Sequence, residues 1–216
     1  MARIDLTDVV AFDTDGALQE TAERAERHSR RGFLKGTGLA LGGAVAAGAG
    51  FPALAGAASK GDVAILNFAL TLEYLESNFY ASALKHAGLS GELERFARLV
   101  HQHEVAHVAA LKKALGSAAV KHPTFDFGAT TRSPGAFTAT SIKLEDTGVM
   151  AYQGQAPFIK SQDVFKAAIS IHPVEARHAA WIRQIAHQSP APASFNPALT
   201  KSQVLAAVKA TGFIKG

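Results

Sequence analysis

The amino-acid sequence predicts an all-α protein, an antiparallel four-helix bundle with one long crossover and a short C-terminal fifth helix. Apolar residues recur at helical spacing in four long segments, and capping residues and glycines mark the ends of those segments. The links between the segments are short, long and short in turn. Short links join antiparallel neighbours, and one long link between two such pairs is a known bundle topology.

The first two helices are predicted to form a hairpin. Helical spacing begins at Asp62, which is suited to cap a helix start, and Gly88 ends the helix near residue 87. After a short link, Ser90 is placed to cap a second helix over residues 91–115. These two helices therefore account for the first antiparallel pair.

The second half of the chain predicts a crossover and three further helices. Residues 121–133 show no helical period, so we expect them to run the length of the fold. A hydroxyl residue then precedes each remaining helix. These residues are Ser133 for the helix to about residue 153, Ser161 for the helix to about residue 187, and Thr200 for the short last helix.

The two predicted hairpins repeat one pattern of acidic, histidine and tyrosine residues. The second and fourth helices each contain a Glu followed three residues later by His, and the first and third each contain a Glu followed seven residues later by Tyr. The Glu residues within the two hairpins are 31 and 30 residues apart, so the hairpins share nearly the same register. The repeated residues are Glu73, Tyr80, Glu104 and His107 in the first hairpin, and Glu145, Tyr152, Glu175 and His178 in the second.

This repeat predicts a metal site. Residues three apart share a helix face, so each Glu-x-x-His pair directs a carboxylate and an imidazole to the same point. Two such helices, with one Glu from each of the others, can hold two divalent metals in the bundle interior. Oxygen and imidazole donors suit iron or manganese. A single Glu-x-x-His pair is more often a solvated or core pair, and only the full set in register favours a dinuclear site.

Other polar residues near this set are assigned elsewhere. Glu76 lies one turn from Glu73 and is an alternative ligand, but its position off the apolar stripe favours the rim of the site. His101 and His103 are predicted to point away from the site, toward the surface or an interface. Pro173 lies within the fourth helix and predicts a kink close to its Glu-x-x-His pair.

The N-terminal part of the chain is predicted to be an export leader. Residues 29–35 read SRRGFLK and precede a Gly/Ala-rich apolar run and small residues spaced as a signal peptidase requires. This motif resembles the twin-arginine export signal. The apolar run is too interrupted by glycine for a good membrane span. We therefore predict a leader over residues 1–57, a helical domain over residues 58–216, and a periplasmic or extracellular location.

Composition excludes several classes of site. The chain contains no cysteine, which excludes disulfides, thiolate metal ligands and cysteine nucleophiles. Its formal net charge is +4, spread along the sequence without a basic stripe, so we do not expect nucleic-acid binding. Any metal must therefore be held by carboxylate and imidazole groups.

In four motifs the chain resembles the ferritin-like superfamily, and in particular its exported and desiccation-related members. The motifs are LNFALTLEYLESNFY, HEVAH, LEDTGVMAYQGQAP and VEARHAAWIR, and the resemblance covers roughly residues 62–216. It implies that Tyr80 and Tyr152 serve the reaction as hydrogen-bond donors to the opposing carboxylates. The implied terminal ligands are Glu73 and Glu145, the bridging ligands Glu104 and Glu175, and the capping ligands His107 and His178.

The resemblance implies an exported protein whose di-iron or di-manganese centre reacts with oxygen or peroxide. The reaction expected is ferroxidase-type iron oxidation or peroxide disproportionation of the manganese catalase kind. Two alternatives stay open: a metal-independent structural protein of stress or desiccation, and a subunit of an iron storage cage. The expected partners are metal ions, oxygen or peroxide, and the twin-arginine translocase during export; whether the chain is an enzyme or a homo-oligomer is left open.

Overall fold

The computed structural model describes residues 58–215, which form five α-helices, three short 3-10 turns and one pair of two-residue strands. This part of the chain confirms the predicted all-α fold class. The predicted leader, residues 1–57, lies outside the described residues. The helices are α1 (Lys60–His86), α2 (Gly91–Leu115), α3 (Pro134–Gln155), α4 (Gln162–Ile185) and α5 (Lys201–Thr211).

Hydroxyl side chains cap most of the helix starts. The Ser59 side chain accepts a hydrogen bond from the Asp62 backbone N–H at 3.1 Å, so Ser59 caps α1, and Asp62 lies in the first turn instead of at the predicted cap. Ser133 and Ser161 cap α3 and α4 in the same way. Thr200 forms the predicted capping box at the start of α5.

The four long helices pack as two hairpins that face each other. The links at residues 87–90 and 156–161 are short, and α1 packs on α2 and α3 on α4. Across the hairpins, α1 contacts α3 and α2 contacts α4. Tyr80 of α1 bonds Glu145 of α3, whereas Tyr152, later in α3, bonds Glu73, earlier in α1. The helices α1 and α3 therefore run in opposite directions.

The C-terminal end of the chain is attached to the crossover between α2 and α3. Within the crossover lies β1 (Thr124–Phe125), and after α5 comes β2 (Ile214–Lys215). The strands pair antiparallel, and the Asp126 backbone N–H donates to the Phe213 carbonyl at 2.8 Å. The apolar pattern gave no sign of this pairing because two residues are too few to show a period.

The segment before α5 lies directly on α3. The Leu199 backbone N–H donates to the Met150 carbonyl at 3.2 Å. A Cβ atom on Gly154 would stand 1.9 Å from the Leu199 carbonyl oxygen. The third helix, predicted to run to about residue 153, continues through Gly154 to Gln155, and the missing side chain of Gly154 permits this backbone contact.

Apolar side chains form two clusters toward opposite ends of the bundle, and the predicted site lies between them. Along α2, Phe96 and Val100 belong to one cluster and Leu111 to the other, while Glu104 and His107 come between. This order places a polar layer in the middle of an otherwise apolar core. Across residues 58–215, no helix offers the uninterrupted apolar length that a bilayer crossing demands.

Candidate metal centre

Six side chains from the four long helices converge at the centre of the bundle. The four carboxylates are 0% exposed, and the two imidazoles are almost as deeply placed. Their potential ligand atoms fall into two groups, and within each group all atoms lie within 4.8 Å of one another. The first group is Glu73, Glu104, His107 and Glu175, and the second is Glu104, Glu145, Glu175 and His178.

In the first group, three carboxylates surround the Nδ1 atom of His107. This atom lies 3.1 Å from Glu73 Oε2, 3.1 Å from Glu104 Oε2 and 3.2 Å from Glu175 Oε1. Glu104 and His107 reach the same point because they are three residues apart on α2. We refer to this group as site A.

The second group repeats the arrangement around His178. Its Nδ1 atom lies 3.2 Å from Glu104 Oε1, 3.2 Å from Glu145 Oε2 and 3.7 Å from Glu175 Oε2. Glu175 and His178 are three residues apart on α4, as the repeat predicted. We refer to this group as site B.

Glu104 and Glu175 each serve both sites with separate oxygen atoms. Glu104 directs Oε2 to His107 and Oε1 to His178, and Glu175 directs Oε1 to His107 and Oε2 to His178. A carboxylate placed in this way can bridge two cations. Glu73 and Glu145 each serve one site. This is the arrangement that a dinuclear centre requires.

The chemistry of the donor atoms fits a pair of divalent cations. Buried polar atoms are normally hydrogen-bonded, and several atoms here have no hydrogen-bond partner within residues 58–215. In the same part of the chain, no lysine or arginine forms an ion pair with the four carboxylates. Leaving such groups buried and ionised without compensation is very costly. The atoms without a partner include Glu104 Oε1, Glu145 Oε2, both Glu175 oxygens and His178 Nδ1.

Burial and charge shift the titration of these groups strongly. Burial, with the charge of Glu175, raises the pKa of Glu104 well above its usual range, and burial also raises the pKa of Glu145. Burial alone would raise the pKa of Glu175, but hydrogen bonds from the two histidines lower it to about 2. Burial alone would lower the pKa of His178, but its carboxylate neighbours, Glu145 first, raise it to about 12. The cavity therefore strongly favours positive charge.

The two predicted tyrosines hold the terminal carboxylates from the opposite helix. Tyr80 of α1 donates to Glu145 Oε1, and Tyr152 of α3 donates to Glu73 Oε1 at 2.5 Å. Burial, together with the neighbouring carboxylates, raises the pKa of both phenols well above its ordinary value. Both hydroxyls therefore stay protonated and act as donors, leaving the second oxygen of each carboxylate directed at its site.

Comparison with known families agrees with this geometry. Residues 61–188 match the profile of the ferritin-like domain. The chain belongs to the ferritin-like domain family. The match covers all four long helices and therefore every residue of the two sites. A comparison with curated proteins finds no significant match.

One further carboxylate of this ferritin-like domain was misplaced by the sequence pattern. Glu76 was predicted at the rim, but it is 3% exposed and lies beside the site. Its Oε1 atom stands 3.5 Å from the position that a Cβ on Gly148 would occupy, and Glu175 Oε2 stands 3.6 Å from the same position. The rim prediction failed because it considered α1 alone, whereas Glu76 packs across the bundle against Gly148 of α3. A glycine inside a strongly helical segment was the available signal.

His103 was also wrongly predicted to point away from the site. Its Nδ1 atom lies 2.8 Å from Nε2 of His178, and the two rings stack at a centroid distance of 5.1 Å. A pocket of about 400 Å³ opens beside this pair between α2 and α4. Its lining is mostly apolar and includes both site histidines: Leu99, His103, Ala106, His107, Val174, Arg177, His178 and Trp181.

Pro173 leaves the site intact. The helix α4 continues through Pro173 from Gln162 to Ile185. Glu175, two residues later, is fully buried and reaches both histidines. The structure therefore brings together all six residues predicted as ligands, and their role as ligands stays a prediction for experiment.

Proposed function

We propose that this ferritin-like domain binds a carboxylate-bridged pair of iron or manganese ions and performs redox chemistry on oxygen or hydrogen peroxide. One observation carries the proposal: Glu104 and Glu175 each direct one oxygen to His107 and the other to His178. A buried salt-bridge cluster has no need for two carboxylates shared in this symmetric way. Two bridged cations require carboxylates shared in this way.

The residues of the cluster have distinct roles in this proposal. A bound metal pair would supply two-electron chemistry. Either two Fe(II) are oxidised to Fe(III) while O₂ takes up their two electrons and two protons and leaves as H₂O₂, or two H₂O₂ give O₂ and two H₂O. Tyr80 and Tyr152 orient the terminal carboxylates and keep their own protons. Glu104 and Glu175 would hold both ions, Glu73 and His107 the ion at site A, and Glu145 and His178 the ion at site B.

The pocket between α2 and α4 offers small molecules a route to the centre. Both site histidines line it, and Leu99, Val174 and Trp181 make its wall largely apolar. An apolar wall admits uncharged molecules at a much lower desolvation cost than ions. Oxygen and hydrogen peroxide are small and uncharged, so the pocket supports them as substrates.

The experiment is anaerobic loading of the purified full chain with Fe(II) or Mn(II), followed by addition of O₂ or H₂O₂. Oxygen uptake and peroxide decay are recorded with an oxygen electrode and by absorbance. We expect turnover that is lost in Glu175→Ala and retained in Glu94→Ala. Glu94 is the matched control because it lies partly exposed on α2, outside both sites, and its ion pair is with Arg98 at the surface.

The alternatives give different results in the same samples. A stable bundle that takes up no metal and consumes neither oxidant would contradict the proposal and favour a structural role. A closed multi-subunit cage by light scattering, filling with iron far beyond two ions per chain, would favour iron storage. A monomer or dimer with oxidant turnover supports the dinuclear redox site.

We also propose that the chain is exported through the twin-arginine route. The support is the SRRGFLK motif at residues 29–35, which precedes an apolar run and small residues. Replacing Arg30 and Arg31 by lysine together is expected to keep the protein in the cytoplasm. Fractionation with antibody detection measures this, and unchanged export of the double variant would contradict the proposal.

A further inference from the structure

The two halves of the centre share their six predicted ligands but differ in two neighbouring positions. The residues of α1 correspond to those of α3 at an offset of 72, which relates Glu73 to Glu145 and Tyr80 to Tyr152. At the same offset, Glu76 corresponds to Gly148. One hairpin therefore carries an additional buried carboxylate where the other carries no side chain.

Glu76 and Gly148 fit each other across the centre. Any side chain at position 148 would begin 3.5 Å from Glu76 Oε1 and 3.6 Å from Glu175 Oε2. Glycine in the interior of a helix costs roughly 0.5–1 kcal/mol relative to alanine. At these distances a Cβ would make ordinary contact with both carboxylates, so Glu76 and Glu175 both lie directly against this glycine.

Glu76 is a buried carboxylate next to the predicted ligands. It is 3% exposed, yet within residues 58–215 no hydrogen bond or ion pair reaches its carboxylate. Its Oε1 atom and Glu175 Oε2 lie on the same side of Gly148, 3.5 and 3.6 Å from the position that a Cβ there would occupy. Glu175 directs this oxygen to His178, so Glu76 lies on the side of site B, although it belongs to neither group of potential ligand atoms. A cation at site B would compensate the charge of this buried carboxylate.

A second difference between the halves also lies at site B. His103 bonds Nε2 of His178 at 2.8 Å, whereas no described residue forms a hydrogen bond with Nε2 of His107. Residues of α2 correspond to those of α4 at an offset of 71, so the counterpart of His103 is Val174, which cannot form such a bond. When His178 donates its Nε2–H to His103, the lone pair of its Nδ1 faces the carboxylates, and such support typically changes metal affinity 10–100-fold.

We infer that the two metal positions are inequivalent, with Glu76 as an additional ligand and His103 as a positioning residue of site B, so that site B binds its ion first and more tightly. This inference rests on the proposed dinuclear site. It means that the six ligands, although arranged symmetrically, form two sites that bind their ions in sequence and with different affinities.

The test is equilibrium titration of the full chain with Mn(II) and with Co(II), using a competing chelator and counting ions bound per chain. We expect two binding steps of distinct affinity in the unaltered protein. Glu76→Gln should weaken the first step about 10–100-fold and leave the second unchanged. Glu94→Gln, at a partly exposed position on α2 outside both sites, is the matched control and should change neither step.

Two further variants assign the steps to sites. Glu145→Ala should remove the tight step, and Glu73→Ala should remove the weak one. In the Glu145→Ala background, Glu76→Gln should have no further effect on the remaining step. His103→Ala, which alters a half-buried position at the pocket, should weaken the first step only and keeps the test valid if Glu76→Gln does not fold.

The outcomes distinguish a failure of this inference from a failure of the proposed dinuclear site. Two bound ions of equal affinity, or two steps that neither Glu76→Gln nor His103→Ala changes, would overturn the inference while leaving the dinuclear site in place. An unaltered chain that binds no ion would overturn both. A first step weakened by both variants, with the second preserved, supports the inference.

Discussion

Tyr152 on α3 donates a hydrogen bond of 2.5 Å to Glu73 Oε1 on α1, and Tyr80 on α1 makes the reciprocal bond to Glu145 on α3. These two bonds cross the interface between the hairpins in opposite directions. Each connects a helix of one half to a terminal carboxylate of the other. These hydrogen bonds therefore hold the two hairpins together, in addition to positioning the predicted ligands.

Removing either phenol hydroxyl is expected to destabilise the bundle. Tyr152→Phe leaves a Glu73 oxygen buried without its donor, and we expect a loss of about 1–3 kcal/mol in the free energy of unfolding. Tyr80→Phe should cause a similar loss of unfolding free energy, because it removes the donor to Glu145. Tyr74→Phe is the matched control, because Tyr74 is also buried on α1 and no described residue bonds its hydroxyl. Urea unfolding measures the difference, and a Tyr152→Phe protein as stable as Tyr74→Phe would contradict the account.

Gly154 is predicted to be required for the contact between α3 and the segment that precedes α5. A methyl group at this position would stand 1.9 Å from the Leu199 carbonyl oxygen, so the segment must shift. We expect Gly154→Ala to cost about 1–3 kcal/mol in unfolding free energy. Gly135→Ala, in the first turn of the same helix with open space around it, should be neutral or slightly stabilising. Equal stability of the two variants would argue against this contact.

Asp62 is predicted to make stability depend on acidic pH. Its carboxylate accepts hydrogen bonds from the backbone N–H groups of Lys160 at 2.8 Å and Ser161 at 3.2 Å, joining α1 to the link before α4. Although burial alone would raise the pKa of Asp62, these bonds and that from Ser59 lower it below the ordinary value of 3.8.

The direction in which pH changes the stability follows from the lowered pKa of Asp62. The stabilisation by Asp62 is complete above the pKa of the unfolded chain and is lost as the pH falls through the lower pKa of the folded protein. We expect Asp62→Ala to cost about 2 kcal/mol in unfolding free energy at pH 7. That difference from the unaltered protein should shrink as the pH falls below 3.8. A difference that is independent of pH would show that the charge of Asp62 is not involved.

The sequence predicted the helices well because each has strong local signals. Ser133, Ser161 and Thr200 mark helix starts through their own side chains, and the observed caps are at those residues. The repeated Glu and His positions were visible because residues three apart share a face on any helix. These features depend only on neighbours in sequence.

The errors occurred where contacts between helices decide the outcome. Glu76 is buried in the bundle against Gly148, which follows 72 residues later in the sequence. His103 turns inward because Nε2 of His178 is within reach across the bundle. The strand pair between Thr124 and Lys215 joins segments too short to show a period. None of these contacts can be read from one helix alone.

The most direct measurement of the central claim is elemental analysis of the purified, untreated protein, expressed as Fe and Mn per chain. The account predicts about two ions per chain. It also predicts that Glu104→Ala loses both ions, because Glu104 belongs to both sites, while the partly exposed control Glu94→Ala keeps both. A fully folded chain without stoichiometric metal, or a Glu104→Ala variant that retains two ions, would contradict the account.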